Sequence, residues 1–170
     1  MGADAPVAVL GATGQVGGAV VAELLRREVP VRAIVREAAT LHAGVDVRVV
    51  PWTELPSCEA FSGCRGAVLM VPRVADAVDI GRISHRALAA AQVSQAVRLS
   101  VYSGVIEADL TLGRLHGALD EDLQAQDCAT AVLRPDGFMQ NLLGMASGLE
   151  NGVLRNATGS GAMGWIDARD

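Results

Sequence analysis

The run Gly11-Ala12-Thr13-Gly14-Gln15-Val16-Gly17 constrains this chain more than any other feature, because of what stands on either side of it. Val7-Ala8-Val9-Leu10 leads into it, and Ala19-Val20-Val21-Ala22-Glu23-Leu24-Leu25 follows. A short apolar run, a glycine-rich turn and an apolar helical stretch read as strand, tight turn and helix. Such a unit leaves the first backbone N–H groups of the helix unpaired at the positive end of its dipole, a setting that suits a pyrophosphate. On this reading Gly11 permits the turn, Gly14 lets phosphates approach the backbone, and Gly17 lets helix and strand pack closely. Thr13, Gln15 and Val16 complete the candidate cradle. The G-x-x-G-x-x-G spacing is one residue longer than the common dinucleotide fingerprint, and a tight strand-to-helix turn without a ligand would use the same residues.

The segments that follow alternate regularly. Strands are expected over 31–35, 45–50, 67–71, 96–101 and 130–133, with helices over 75–91, 115–126 and 137–149. Residues 37–43 read as a short helix or loop and 54–61 as a weak helical or irregular crossover. Alternation at this pitch implies right-handed crossovers and a doubly wound parallel α/β sheet of the Rossmann type, built as one domain over residues 1–170.

Composition removes several function classes. At 51% apolar residues the chain is too hydrophobic to be disordered. No apolar run approaches the ~20 residues of a membrane span. No basic stretch precedes the first apolar run, so no signal peptide is visible and a cytoplasmic protein is expected. A net charge of −5 without a basic cluster argues against direct nucleic-acid binding. All the basic residues are arginine; the absence of lysine removes every mechanism that needs a lysine amine. Cys58, Cys64 and Cys128 form no C-x-x-C pair, and His42, His85 and His116 have no metal-ligand spacing, so reduced thiols and no metal are expected.

If the glycine turn holds a pyrophosphate, the adenosine ribose lies near the end of the second strand, where Arg36 stands. A guanidinium there suits the 2′-phosphate of NADP by charge and forked geometry, so NADPH is favoured over NADH. Glu37 is a competitor for either role, and a solvent-exposed strand-end arginine would look the same. The strand ends at Val71-Pro72, Ser100 and Arg134-Pro135 should border the ribose and nicotinamide. Tyr102, the only tyrosine, is a candidate acid, with a partly buried loop tyrosine as the alternative.

Val9-Leu10-Gly11-Ala12-Thr13-Gly14-Gln15-Val16-Gly17, Val31-Arg32-Ala33-Ile34-Val35-Arg36, Val97-Arg98-Leu99-Ser100 and Leu133-Arg134-Pro135-Asp136-Gly137-Phe138-Met139-Gln140-Asn141 together resemble the NmrA-like group. These are atypical short-chain dehydrogenase/reductases that bind NAD(P), and the chain looks most similar to their NAD(P)H-dependent quinone oxidoreductase branch. The resemblance implies an acceptor pocket bordered by Phe138, Met139 and Asn141. It also marks three departures. No tyrosine–lysine pair can exist, and His116 stands where relatives often carry a lysine; it is a candidate proton donor or a helix-surface residue. Pro51-Trp52 replaces the usual Gly-Asp, so Trp52 would stack on the base or cover the core edge. The chain ends at a segment from which family members continue into a substrate lobe, so that lobe is expected to be largely absent.

Two functions follow: an NADPH-dependent reductase passing a hydride to a small quinone or carbonyl acceptor, or a non-catalytic NADP(H)-binding sensor or interaction module. A third reading makes these residues the N-terminal part of a longer enzyme, or a remnant without turnover. Apolar faces near Leu142-Leu143 and Val153-Leu154 would lie under the lobe, so a homodimer that buries them is expected.

Overall fold

A computed structural model describes residues 4–57, 59–146 and 160–170. Cys58, Val153 and Leu154, on which some of the expectations fall, lie outside the described residues. Six strands, β1 (Val7–Leu10), β2 (Val31–Val35), β3 (Asp46–Val49), β4 (Gly66–Leu69), β5 (Gln95–Leu99) and β6 (Ala129–Leu133), form one parallel sheet in the order β3-β2-β1-β4-β5-β6. Val9 of β1 sits opposite Ala33 on one side and Val68 on the other. The chain therefore steps one way from β1 to β3 and the other way from β4 to β6. The crevice that follows from this reversal opens between the carboxyl ends of β1 and β4.

The central strands β1, β2 and β4 are covered on both faces, as their nearly continuous apolar runs require, while the edge strands β3 and β6 keep exposed residues. Helix α1 (Gln15–Arg26) lays Val21 against Val9, Ala33 and Val35 on one face. The opposite face carries α2 (Ala77–Ala90), α3 (Thr111–Gln124) and a 3₁₀ turn over Trp52–Ser57. There Leu10, Ile34, Leu55, Phe61, Leu69, Leu88 and Leu123 form the larger core. Alternate residues of β1 and β2 thus feed different cores, as a period of two demands. Arg32 ties β2 to the edge, its Nε donating to Asp46 at 2.7 Å and its Nη1 to the Ser62 carbonyl at 2.6 Å.

The doubly wound expectation holds, and β2 has the expected bounds. Several elements differ; β5 ends at Leu99 rather than 101, and three others depart more tellingly. β4 ends at Leu69 rather than 71, because Pro72 has no N–H to donate and the chain is already turning away. α3 begins at Thr111 rather than 115. The stretch expected as one helix over 137–149 is a short strand β7 (Gly137–Phe138) followed by α4 (Gln140–Met145), with its last three positions outside the described residues. β7 pairs in parallel with β8 (Trp165–Ile166) in a second, small sheet. Among the described residues no helix is long and apolar enough to cross a membrane.

Candidate functional site

The glycine turn has the geometry that its spacing implies. Gly11 adopts φ +84°, a conformation that L side chains rarely take. A Cβ on Gly17 would lie 2.1 Å from the Gly11 carbonyl oxygen, so only glycine lets α1 start this close to the end of β1. Position 14 is different. Its φ of −79° and ψ of 170° suit any residue, and a Cβ would meet only the Gly11 oxygen at 3.3 Å. The protein itself asks little of a glycine there; the space beside it is what a side chain would fill. Gly14 is the N-cap of α1 and offers no side-chain acceptor, and the first turn holds no acidic residue. The first N–H groups of the helix are thus left for a ligand.

A cleft of about 670 Å³ runs from this turn along the carboxyl ends of the strands. Gly11, Thr13, Gly14, Gln15, Val16 and Gly17 form one end. Arg36 and Trp52 flank it, Val71 and Pro72 lie along it, and Phe138 and Asn141 lie beside Leu99 in its wall. Nearly every position singled out for cofactor contact therefore shares one crevice. Arg36 is half exposed, and its Nε donates to Glu37 Oε1 at 3.0 Å. The acid expected as a competitor is thus already its partner. Trp52 packs on the core edge, one of the two roles expected of it, and it also lines the cleft.

Several singled-out residues lie outside this cleft, His116 among them. Met139 does not line the cleft, although Phe138 and Asn141 do, because the start of α4 turns it outward. Tyr102 is 75% exposed, on the loop beyond β5. Ser100 is buried, and its hydroxyl donates to Asp120 Oδ2 at 2.8 Å rather than facing the cleft.

That last contact leads to a cluster that reading the sequence missed. Arg98, wholly buried in β5, donates through Nη1 to Asp120 Oδ1 on α3. Asp120 is itself 1% exposed and also accepts from Arg134 Nε at 3.1 Å. Arg98 Nη2 reaches His116 Nδ1 at 3.2 Å. Burial pushes the His116 imidazole down to about 4, and the Arg98 guanidinium reinforces this against the opposing pull of Asp120. The available signal was an arginine set between Val97 and Leu99 in a central strand, where a buried side chain demands a buried partner. A smaller cavity of about 290 Å³ lies between the β4 exit and α3, lined by Val71, Pro72, Arg73, Leu112, Leu115 and His116 among others.

Fold, turn and cleft define a doubly wound α/β protein of the Rossmann type with a pocket at its switch point. The chain belongs to the NmrA-like family, whose model matches residues 3–117. An NAD(P)H azoreductase of Xenophilus azovorans is 31% identical over 172 residues, spanning 96% of this chain and 59% of that protein. The crystal structure of Citrobacter sp. triphenylmethane reductase complexed with NADP(H) is 25% identical with a TM-score of 0.83, covering 96% of this chain and 61% of that one. An NADPH-dependent quinone oxidoreductase of Escherichia coli, complexed with NADPH, is 27% identical with a TM-score of 0.72, over 84% and 53%. The chain spans less than two thirds of the length of each of these relatives.

Proposed function

We propose that this chain is the dinucleotide-binding domain of an NADPH-dependent reductase, acting on flat aromatic acceptors of the quinone type. The observation that carries the reading is the single cleft joining the uncapped α1 start, Arg36 and the Phe138–Asn141 wall. The residues fit the cofactor: Gly17 admits no side chain, Gly14 leaves room beside the helix start, and Arg36 stands where a 2′-phosphate would lie. When bound, the nicotinamide supplies a hydride. The chain's part is to bind the pyrophosphate on backbone N–H groups, to orient the ring along Val71 and Pro72, and to shield it. The names of the three relatives, all reductases, support the reaction type.

Oxidation of NADPH with a panel of naphthoquinones and azo dyes tests this reading. Acceptor-dependent turnover is expected; nucleotide binding with no turnover by any acceptor would leave the non-catalytic binding module instead. Exposed Leu133, Leu142 and Leu143 further support self-association of this chain through an apolar face, which sedimentation equilibrium would reveal as a homodimer.

A further inference from the structure

The smaller cavity and the buried charge cluster meet at one side chain, His116. It is one of the residues that line the cavity, and its Nδ1 lies 3.2 Å from Arg98 Nη2. A guanidinium has five N–H donors and no acceptor, so Nδ1 must accept and the ring proton must sit on Nε2. Arg98 is held in turn by Asp120, which is fixed by Ser100 and Arg134. Four side chains from β5, α3 and the end of β6 thus set one tautomer of one imidazole. The ring's protein partner is at Nδ1, through Arg98. Gly117 keeps the ring's helix in place: a Cβ there would lie 2.3 Å from the Val105 carbonyl carbon, so α3 rests directly on the loop backbone.

The two cavities share a wall at Val71, Pro72 and Arg73. We infer that the smaller cavity seats the reducible end of the acceptor, and that His116 is its hydrogen-bond donor, a neutral imidazole presenting Nε2–H, with Arg98 as the positioning residue. The inference rests on the reductase reading and deepens it. A quinone that receives a hydride from the nicotinamide gains two electrons and one hydrogen nucleus, and negative charge collects on its oxygen. Nε2–H stabilises that oxygen as a preorganised donor. The proton that completes the quinol comes from water. His116 keeps its own proton, because giving it up would leave an imidazolate. The charged groups that act on the ring are Arg98 from β5 and Asp120 from its own helix, and Arg73 from the β4 exit lines the same cavity. The depressed basicity of the ring agrees with a donor that stays neutral at working pH.

The test begins without nicotinamide. Long-range ¹H–¹⁵N spectra of histidine-labelled protein should show His116 as the Nε2–H tautomer from about pH 5.5 to about pH 8, and added naphthoquinone should move that resonance. An imidazolium at about pH 6, an Nδ1–H tautomer, or a resonance indifferent to naphthoquinone would overturn the inference. Kinetically, His116→Phe should lower kcat about 10²-fold with KM for NADPH unchanged. His116→Gln, whose amide can donate from near the Nε2 position, should recover most of the loss, and the kcat profile should stay flat across the range in which a free histidine titrates. An unchanged kcat in His116→Phe refutes the inference while leaving the reductase reading intact. Failure of the wild type to bind NADPH refutes the reductase reading itself.

Discussion

Replacing Arg36 with alanine separates a phosphate-binding arginine from an ordinary strand-end charge. The Arg36 side chain is 55% exposed and its present partner Glu37 is 78% exposed, so the pair between them is worth about 0–1 kcal/mol. A charge-assisted contact to a 2′-phosphate is worth about 1.5–3 kcal/mol, with half exposure favouring the lower end. Subtracting the lost Glu37 contact leaves about 1–2 kcal/mol, or a roughly 5- to 30-fold change in Kd. Titration calorimetry should therefore show NADPH binding to Arg36→Ala weakened by that factor, with NADH binding within about twofold of wild type. The NADPH difference should shrink as salt rises, since the contact is only half sheltered. Glu37→Gln should tighten NADPH binding, because the guanidinium no longer has to leave a carboxylate. Equal losses for both nucleotides, or no loss for either, would refute the assignment of Arg36 to the phosphate.

Gly17→Ala places a methyl group into the Gly11 carbonyl and should abolish soluble expression or lower Tm sharply, whereas Gly14→Ala should melt within a few degrees of wild type yet lose nucleotide binding by calorimetry. If Gly14→Ala binds normally, the phosphates do not lie beside α1. Arg98→Met leaves buried Asp120 with only Ser100 and the partly exposed Arg134 as partners and should destabilise by about 3–5 kcal/mol in urea titrations, while the pair Arg98→Met with Asp120→Leu should recover much of that loss. A double variant no better than the single one would show that the two charges are not coupled. The His116 ring takes up its proton near pH 6.5 when unfolded but only near 4 when folded, so the unfolded state binds more protons between those values. Folding stability should be complete above about pH 6.5, fall by about 2–3 kcal/mol towards pH 4 and level off below, and this loss should be absent in His116→Gln. Urea titrations across that range check it; buried His85, also held low by desolvation, adds a loss of the same sign that His116→Gln leaves in place.

The elements most legible in the sequence are those whose local pattern and tertiary role agree. Val31-Arg32-Ala33-Ile34-Val35 sends Ile34 into one core and Val31, Ala33 and Val35 into the other, and its bounds coincide with the expected ones. The glycine turn was legible for a similar reason, since its glycines are demanded by backbone contacts only a few residues away. The start of α3 was less legible. Gly113 looks like a helix breaker in a row, but it lies inside the helix because a Cβ there would meet the Ser103 carbonyl at 2.5 Å. A glycine required by close approach of another segment reads the same as one required by a turn, and only the fold distinguishes them. The short strand β7 was illegible on the same ground: its partner Trp165 lies far along the chain, and Gly137 would drive a Cβ to 2.9 Å from that indole.

The charge cluster shows why a site can be half legible. Each member has a reason to look ordinary alone: Arg98 as a strand residue, Asp120 as one acid in a helix rich in acids, Ser100 as a hydroxyl at a strand end. Burial changes what each of them can do. A buried guanidinium needs a carboxylate, the carboxylate needs its second oxygen satisfied, and the remaining guanidinium N–H must find an acceptor. Asp120 meets the first demand and Ser100 and Arg134 the second; His116 Nδ1 takes one of the remaining guanidinium N–H groups, while Arg98 Nε is left buried without a partner among the described residues. The tautomer of His116 is thus fixed by the need to balance charges inside the protein, before any ligand enters. Were Arg98 replaced by an apolar residue, the ring would be free to take either tautomer. The long-range histidine spectrum of the folded Arg98→Met, Asp120→Leu protein should then show the Nδ1–H and Nε2–H forms together. A spectrum still showing only Nε2–H would mean that something other than Arg98 orients the ring.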